Sequence, residues 1–391
     1  MEKIYNENKC TGCGACYNIC PKGAITIKGD KQGFYKPFID EDKCIDCRLC
    51  EKVCPLDKYI SDNLKEPEVF AFQNDDNCVL DKSSSGGAFG AFAKYFIENG
   101  GVVYGVIFDE ELHACHSRAD NMTDLEKMYS SKYVQSNTKT VLKKVKMDLE
   151  TGFQVLFSGT PCQIAGLKSY LKKQYKNLMT IDLVCHGVPS PLVLEKYKSE
   201  RGKVTIRSIN FRSKKVNGWH PILYTEIITN ENSKYISMIE DDYVRAFLSN
   251  LSINNACLDC QFNKIPRIAD ITIADFWGVD NYDKSLNNGK GLSIILINNL
   301  SGKMLLNEAI KESLLKKIPL EVAIKYNRNI CSSSLPHKNR TKFLEDIANG
   351  KSLKSCVKKY DTKPLYLTIY SMLPQFAKNY IKYKILKKEK C

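Results

Sequence analysis

Residues 10–21 read CTGCGACYNICP and residues 44–55 read CIDCRLCEKVCP, so the pattern C-x2-C-x2-C-x3-C-P occurs twice. Each cysteine recurs at an offset of 34 residues. Three closely spaced thiolates can hold three corners of an iron-sulfur cubane, while the fourth, carried beyond a turn and stopped by proline, reaches the neighbouring cluster. The ligand sets therefore interleave, with Cys10, Cys13, Cys16 and Cys54 around one 4Fe-4S cluster and Cys44, Cys47, Cys50 and Cys20 around the other. Gly12 and Gly14 suit a loop whose amides must turn toward sulfur. Each repeat is too short to bury a core alone, so the two halves and their metal are expected to fold together.

The competing arrangement is a pair of zinc sites, but those usually divide their ligands between two separated C-x2-C knuckles. Two adjacent clusters with no substrate site among these residues form a relay for single electrons. This segment resembles the two-cluster ferredoxins of bacteria.

The whole chain has 391 residues, enough for a small module plus one large domain or two medium ones, and its 43% hydrophobic and 26% charged residues are ordinary for a globular protein. No run approaches the roughly 18 apolar residues of a spanning helix, and MEKIYNENKC lacks the apolar centre of a secretory signal, so the expectation is a cytoplasmic protein. Seventeen cysteines in tight runs then point to metal ligation in a reducing compartment rather than to disulfides. The net charge is +14, but residues 351–391 hold eleven lysines against Asp361 and Glu389. A basic tail without a recognisable binding module argues against a nucleic-acid partner.

Residues 57–67, DKYISDNLKEP, read as a linker, and a second domain starts near Glu68. VFAF at 69, a helix from Gly87 to Asn99 closed by Gly100 and Gly101, and VVYGVIF at 102 set a βαβ rhythm. It continues with helices near 138–150 and 161–173 and strands at 154–157 and 178–184. Apolar runs at 204–211, 222–229, 271–276 and 292–297 have fewer helices between them. A mixed sheet with an antiparallel part is expected.

Two features of this domain carry chemistry. SSSGGAFGAF, Ser83 to Phe92, sets hydroxyls and glycines at a helix start, where exposed amides can hold a phosphate or a flavin edge, or where small residues simply cap and pack the helix. Cys162 in GTPCQIAGL, Cys185 in DLVCHG, and Cys257 with Cys260 in CLDC are dispersed, two of them just past strands, where α/β sheets gather their sites. Four such thiols can meet around a third 4Fe-4S cluster; a zinc site or buried unligated thiols are the alternatives. His186 beside Cys185 is read as supporting rather than ligating, and His116 and His220 as structural or as proton donors. Cys78, Cys115, Cys331, Cys356 and Cys391 have no partner at ligand spacing.

The order SSSGG, SKYVQS at 131–136, GTPCQIAGL, DLVCHG, CLDCQF and ADFWG at 274–278 resembles the β-subunit family of coenzyme F420 hydrogenases and dehydrogenases, over roughly residues 1–300. The resemblance implies bound FAD, a cluster near it, and hydride exchange with a deazaflavin (F420) or another organic acceptor. Carried onto matching positions, it makes Ser84, Ser85, Gly86 and Gly87 candidate flavin contacts, with Lys132, Gln135 and Ser136 beside them and Thr160 and Asp275 as further candidates. Lys132 at a pyrimidine edge would stabilise reduced anionic flavin; the alternative is a surface lysine.

The expected fold class is α+β: a ferredoxin-like two-cluster module over residues 1–60, then a mixed-sheet α/β flavin and iron-sulfur domain over 68–330 and a basic extension over 331–391. The expected function is electron passage from a ferredoxin or similar donor through the clusters and FAD to an organic hydride acceptor. A non-catalytic wiring subunit of a larger redox complex, or a cell-envelope or polysaccharide-associated reductase not using F420, are the other readings. From Pro364 onward, aromatic and apolar residues alternate with lysines, which fits either a helix lying on anionic lipid at the inner membrane face, a segment docking on an acidic partner, or a solvated basic end.

Overall fold

Alternation of apolar side chains along short strands decides how the large domain layers. The computed structural model describes residues 8–56, 61–202, 205–311 and 313–361; the lysine-rich segment from 364 lies outside them. The N-terminal module contains an antiparallel pair, β1 (Ile25–Gly29) and β2 (Tyr35–Ile39). The large domain follows with β3 (Glu68–Gln73), β4 (Val102–Phe108), β5 (Ala114–Ala119), β6 (Val155–Gly159), β7 (Leu178–Leu183), β8 (Ile206–Ser213), β9 (Tyr224–Thr229), β10 (Ser233–Ser237), β11 (Ile271–Asp275), β12 (Ser293–Ile297) and β13 (Leu314–Ile318).

Eight of these form one mixed sheet in the order β13-β3-β12-β11-β7-β6-β4-β5. Its middle, β11-β7-β6-β4, is parallel, and both flanks are antiparallel. The parallel centre is covered on two faces, as such sheets must be. Val103 and Leu156 point to one core with Phe92 and Phe96 of helix Ala88–Glu98, whereas Val102, Val155 and Phe157 point to the other, against helices Val141–Glu150 and Pro161–Leu171. Ala15 and Val53 of the N-terminal module join this second core. At one edge, β13 exposes Leu314, Leu315, Lys316 and Lys317, and the lysines blunt an edge that would otherwise template pairing.

The antiparallel part is not all in one sheet. β8, β9 and β10 make a separate three-stranded sheet, packed with helices Pro191–Ser199, Arg340–Ala348 and Leu353–Tyr360 around Phe211, Tyr243, Phe343 and Val357. Residues 340–360 are thus part of a core. Among the described residues, no helix is long and apolar enough to cross a membrane.

One ion pair anchors the loop that precedes β11. Arg267 and Asp182 are both fully buried, with the guanidinium donating to the carboxylate at 3.0 Å, to Thr272 Oγ1 at 3.2 Å, and to the carbonyls of Phe262 and Ile330. Burial raises the Asp182 pKa and the Arg267 charge opposes it. Removing one partner strands the other charge, so Asp182→Ala is expected to lose about 3–5 kcal/mol of stability. Urea unfolding of the holoprotein checks this, and a loss within 1 kcal/mol or so would contradict the pair's anchoring role.

Candidate functional site

The first cysteine motif closes on itself because Gly12 and Gly14 adopt left-handed φ values of 74° and 77°. Cys10, Cys13, Cys16 and Cys54 line one small, mostly apolar cavity together with Cys50, so cysteines of the second motif stand among the first three of the first. Burial pushes the Cys16 thiol up to about 12 and raises Cys10 and Cys13, with the neighbouring thiols adding to the rise. Thiols in such surroundings give up their protons only to a metal, and a set of thiols around a mostly apolar cavity fits an iron-sulfur cluster. Of the remaining ligand candidates, Cys20, Cys44 and Cys50 are half-buried and Cys47 is exposed. No described cysteine forms a disulfide.

The module is seated on the large domain through close approaches that only glycine permits. A Cβ on Gly166, in helix Pro161–Leu171, would lie 2.8 Å from Cys13 Cβ and 2.9 Å from its sulfur; one on Gly14 would strike Thr138, and one on Gly33 would strike Leu192. Gln135, expected beside a flavin, instead faces the module: its Oε1 accepts from Tyr35 N at 2.7 Å and its Nε2 donates to the Thr11 carbonyl at 3.1 Å. Ser169 Oγ donates to the Val53 carbonyl at 2.6 Å.

Cys162 lies in the first turn of the helix that carries Gly166, Cys185 follows β7, and Cys257 and Cys260 sit at and just past a short 3-10 turn, Asn255–Cys257. The fold brings their segments together: Asn263 donates to the Cys185 carbonyl at 2.9 Å, and a Cβ on Gly187 would lie 3.2 Å from Cys257 Cβ. Burial pushes Cys162 up to about 11 and Cys257 up to about 12, and raises Cys185 and Cys260. Among the described residues, no three His, Cys, Asp or Glu side chains converge closely enough to hold a single metal ion. The His186 ring meets Phe247 edge-on at 5.1 Å.

Past the carboxyl ends of β6, β7 and β11 opens a cavity of about 620 Å³, the place where parallel sheets bind ligands. Ser84, Ser85, Gly87, Lys132, Ser136, Thr160 and Asp275 all line it, and so does Cys185. Gly86 is not on the wall; it is pressed against the sheet, where a Cβ would lie 2.3 Å from the Phe72 carbonyl, and its amide donates to Ser293 Oγ. The serine loop and the SKYVQS loop brace each other, Ser84 Oγ accepting from Ser131 N at 2.9 Å. Helix Ala88–Glu98 starts at this wall from Gly87, held at φ 80°.

Lys132 is half-buried, and its amine donates to the carbonyls of Lys127, Tyr129 and Ser130. Burial pushes its pKa down to about 7. Asp275 receives both terminal nitrogens of buried Arg212, at 2.7 and 2.9 Å, while Arg212 Nε is buried without a partner among the described residues. With Arg328, three basic side chains, of which Lys132 is only partly charged at pH 7, stand on the walls against the single carboxylate of Asp275 among the described residues, a surplus that suits a phosphate-bearing organic group. Deeper in, Gln163 donates to Ser136 Oγ at 2.9 Å, and Ser136 meets His116 Nδ1 at 3.3 Å. Burial pushes His116 down to about 4, so it is neutral at pH 7. His220 accepts from Ile222 N within its own loop.

Sequence reasoning missed Arg212, Arg328 and Gln163. A lone arginine ending the apolar run INF before Ser213 was the available signal for the first; the other two are brought to the wall only by tertiary folding.

Residues 153–322 match the family model that describes the C-terminal part of the coenzyme F420 hydrogenase/dehydrogenase beta subunit, and residues 9–58 match the 4Fe-4S dicluster domain. A coenzyme F420-dependent sulfite reductase of Methanocaldococcus jannaschii is 29% identical over 198 residues, 50% of this chain and 31% of that protein. An uncharacterized ferredoxin of the same organism is 46% identical over 35 residues, 9% of this chain and 46% of its own length. The chain thus spans less than half the length of either relative. A chain of the F420-reducing NiFe hydrogenase complex from Methanosarcina barkeri superposes with a TM-score of 0.44 at 15% identity, covering 77% of this chain and 95% of that one.

Proposed function

We propose that this chain, an iron-sulfur redox protein joining a 4Fe-4S dicluster domain to a domain of the coenzyme F420 hydrogenase/dehydrogenase β-subunit family, is an FAD-dependent oxidoreductase. In this reading it takes electrons from a ferredoxin-type donor at the exposed Cys47 side and delivers them to an organic hydride acceptor in the cavity, with F420 the first candidate. Cys162, Cys185, Cys257 and Cys260 would hold a third 4Fe-4S cluster between the module and the cavity. A flavin supplies the conversion of single electrons into a hydride.

The observation that carries this reading is contiguity. Cys13 abuts Gly166, one helical turn from Cys162, and Cys185 of the same thiol set lines the cavity wall. The rest is positioning by the chain's own residues: Gly87 opens the helix start toward the cavity, Arg212 and Arg328 supply positive charge, and Asp275 holds Arg212 in place.

Anaerobic purification followed by flavin and iron analysis tests the proposal. One FAD per chain, bleached when a reduced ferredoxin is added, is expected; a chain with full iron and no affinity for flavin defeats it. Screening F420 against nicotinamides then identifies the acceptor. The Lys132 charge adds a pH signature. Its charge fades as pH rises through about 7, so the affinity for an anionic flavin should fall between pH 6 and 9, whereas Lys132→Met should bind more weakly at pH 6 and show a flat profile. Flavin fluorescence titrations measure both.

A further inference from the structure

Lys214 directly follows β8 and is half-buried, and its amine ends among three backbone carbonyls, those of Leu80, of Ser85 at 3.2 Å and of Lys290 at 2.8 Å. Three acceptors take all three hydrogens of an ammonium group. The carbonyls belong to separate segments, 134, 129 and 76 residues away along the chain. Arg212, two residues earlier on β8 and therefore on the same side of the strand, donates from Nη2 to the Ser84 carbonyl at 3.1 Å. Alternate residues at the end of the three-stranded sheet thus grip successive carbonyls of the serine loop, which precedes helix Ala88–Glu98.

The grip has a direction. In a trans peptide the amide points opposite to its carbonyl, so the Ser85 carbonyl turned back to Lys214 sends the Gly86 amide the other way. That amide donates to Ser293 Oγ at 3.0 Å, and Ser293 lines the cavity, as do Ser83, Ser84, Ser85 and Gly87. The segment before β12 closes the clamp: a Cβ on Gly291 would strike the Ser85 carbonyl, and Ser85 Oγ donates to the Leu292 carbonyl at 2.7 Å. Trp219 N, just past Lys214, donates to the Gly289 carbonyl at 2.7 Å. Lys214 itself lies behind the wall rather than on it.

We propose that Lys214 is a positioning residue for the cavity ligand: its ammonium, shared among the carbonyls of Leu80, Ser85 and Lys290, fixes the serine loop at the spacing the ligand meets. Without the amine, three carbonyl oxygens face one another with no donor between them, an arrangement that costs free energy until the segments part and water enters. The amides and hydroxyls of residues 83–87 then lose their common alignment along the cavity wall. The proposed role rests on the reading that the cavity takes FAD.

Flavin fluorescence titrations of the cluster-loaded full chain test it, with FAD as the probe. Lys214→Ala and Lys214→Met are expected to keep their iron and to bind FAD about tenfold more weakly, the scale of one lost hydrogen bond to a charged group. Propylammonium replaces the atoms that Lys214→Ala lacks beyond Cβ and should recover most of its affinity, whereas tetramethylammonium, with the same charge and no N–H, should not. Lys214→Met, whose side chain still fills the space, should respond to neither. Wild-type affinity in both variants, or recovery of Lys214→Ala with both cations or with neither, overturns the proposal. Amide hydrogen exchange of residues 83–87 without flavin is a second measurement, expected to be faster in both variants than in the wild type, and equal rates overturn the proposal too. A wild-type chain that binds no FAD removes the flavin reading instead, and the exchange comparison then still decides whether Lys214 holds the loop.

Discussion

If the proposed third cluster sits on Cys162, Cys185, Cys257 and Cys260, Cys257→Ser is expected to reduce the iron content from about twelve to about eight atoms per chain, with the two N-terminal clusters intact. The reasoning is local. Cys257 closes a 3-10 turn whose start is fixed by Asn254, and it packs against the loop that carries Cys185, where a Cβ on Gly187 would lie 3.2 Å from its own. A serine hydroxyl is far less acidic than a thiol and a poorer partner for iron, so the set loses a corner that no described side chain replaces. Electron delivery from a ferredoxin to the cavity should stop, while reduction of the N-terminal clusters by dithionite continues. Iron and sulfide analysis with EPR before and after reduction measures the outcome; twelve iron atoms retained in both Cys257→Ser and Cys185→Ser would end the claim that these thiols form a ligand set.

Gly166→Val should uncouple the module without emptying it. In an ordinary helix interior, replacing glycine by alanine gains about 1 kcal/mol of helix propensity. Here the added Cβ would meet the Cys13 Cβ and sulfur below 3 Å, and the cysteine has little freedom to withdraw because Thr138 and Gly14 hold its loop. Overpacking of this kind costs about 1–3 kcal/mol, so the sign reverses and valine is worse than alanine. The expected phenotype is wild-type iron, wild-type dye reduction at the N-terminal clusters, and, with the proposed flavin bound, lost flavin reduction in single-turnover stopped flow. Unimpaired flavin reduction in Gly166→Val would show that the Cys13 contact is irrelevant to the path.

The parts of this arrangement legible in sequence are those encoded by short-range chemistry. Ligand spacing identified the N-terminal thiol sets because three cysteines within one loop have little else to do together. Alternating apolar residues revealed most strands, and the strands of 271–275 and 293–297 emerged within their expected runs. Pairing partners were not legible: nothing local distinguishes β8 and β9, which leave for a separate sheet, from β12, which stays. The helices after residue 331 were read with a basic tail because their lysines dominate composition, although Phe343, Leu344 and Val357 are fully buried. Gln135 belongs to a motif adjoining the cavity, yet its partner Tyr35 is 100 residues away, and only the folded chain decides which neighbour a side chain faces.

The glycine contacts at the module's base have an implication for interchange. Gly12, Gly14 and Gly33 hold left-handed backbone directly against Gln135, Thr138 and Leu192, and Gly166 answers from the opposite surface. A foreign ferredoxin spliced in front of this domain would bring its clusters but not these hollows, and would ride too far from Cys162. The docking code is therefore written in missing side chains, and a donor arriving from solution cannot substitute for the built-in module by matching charge alone.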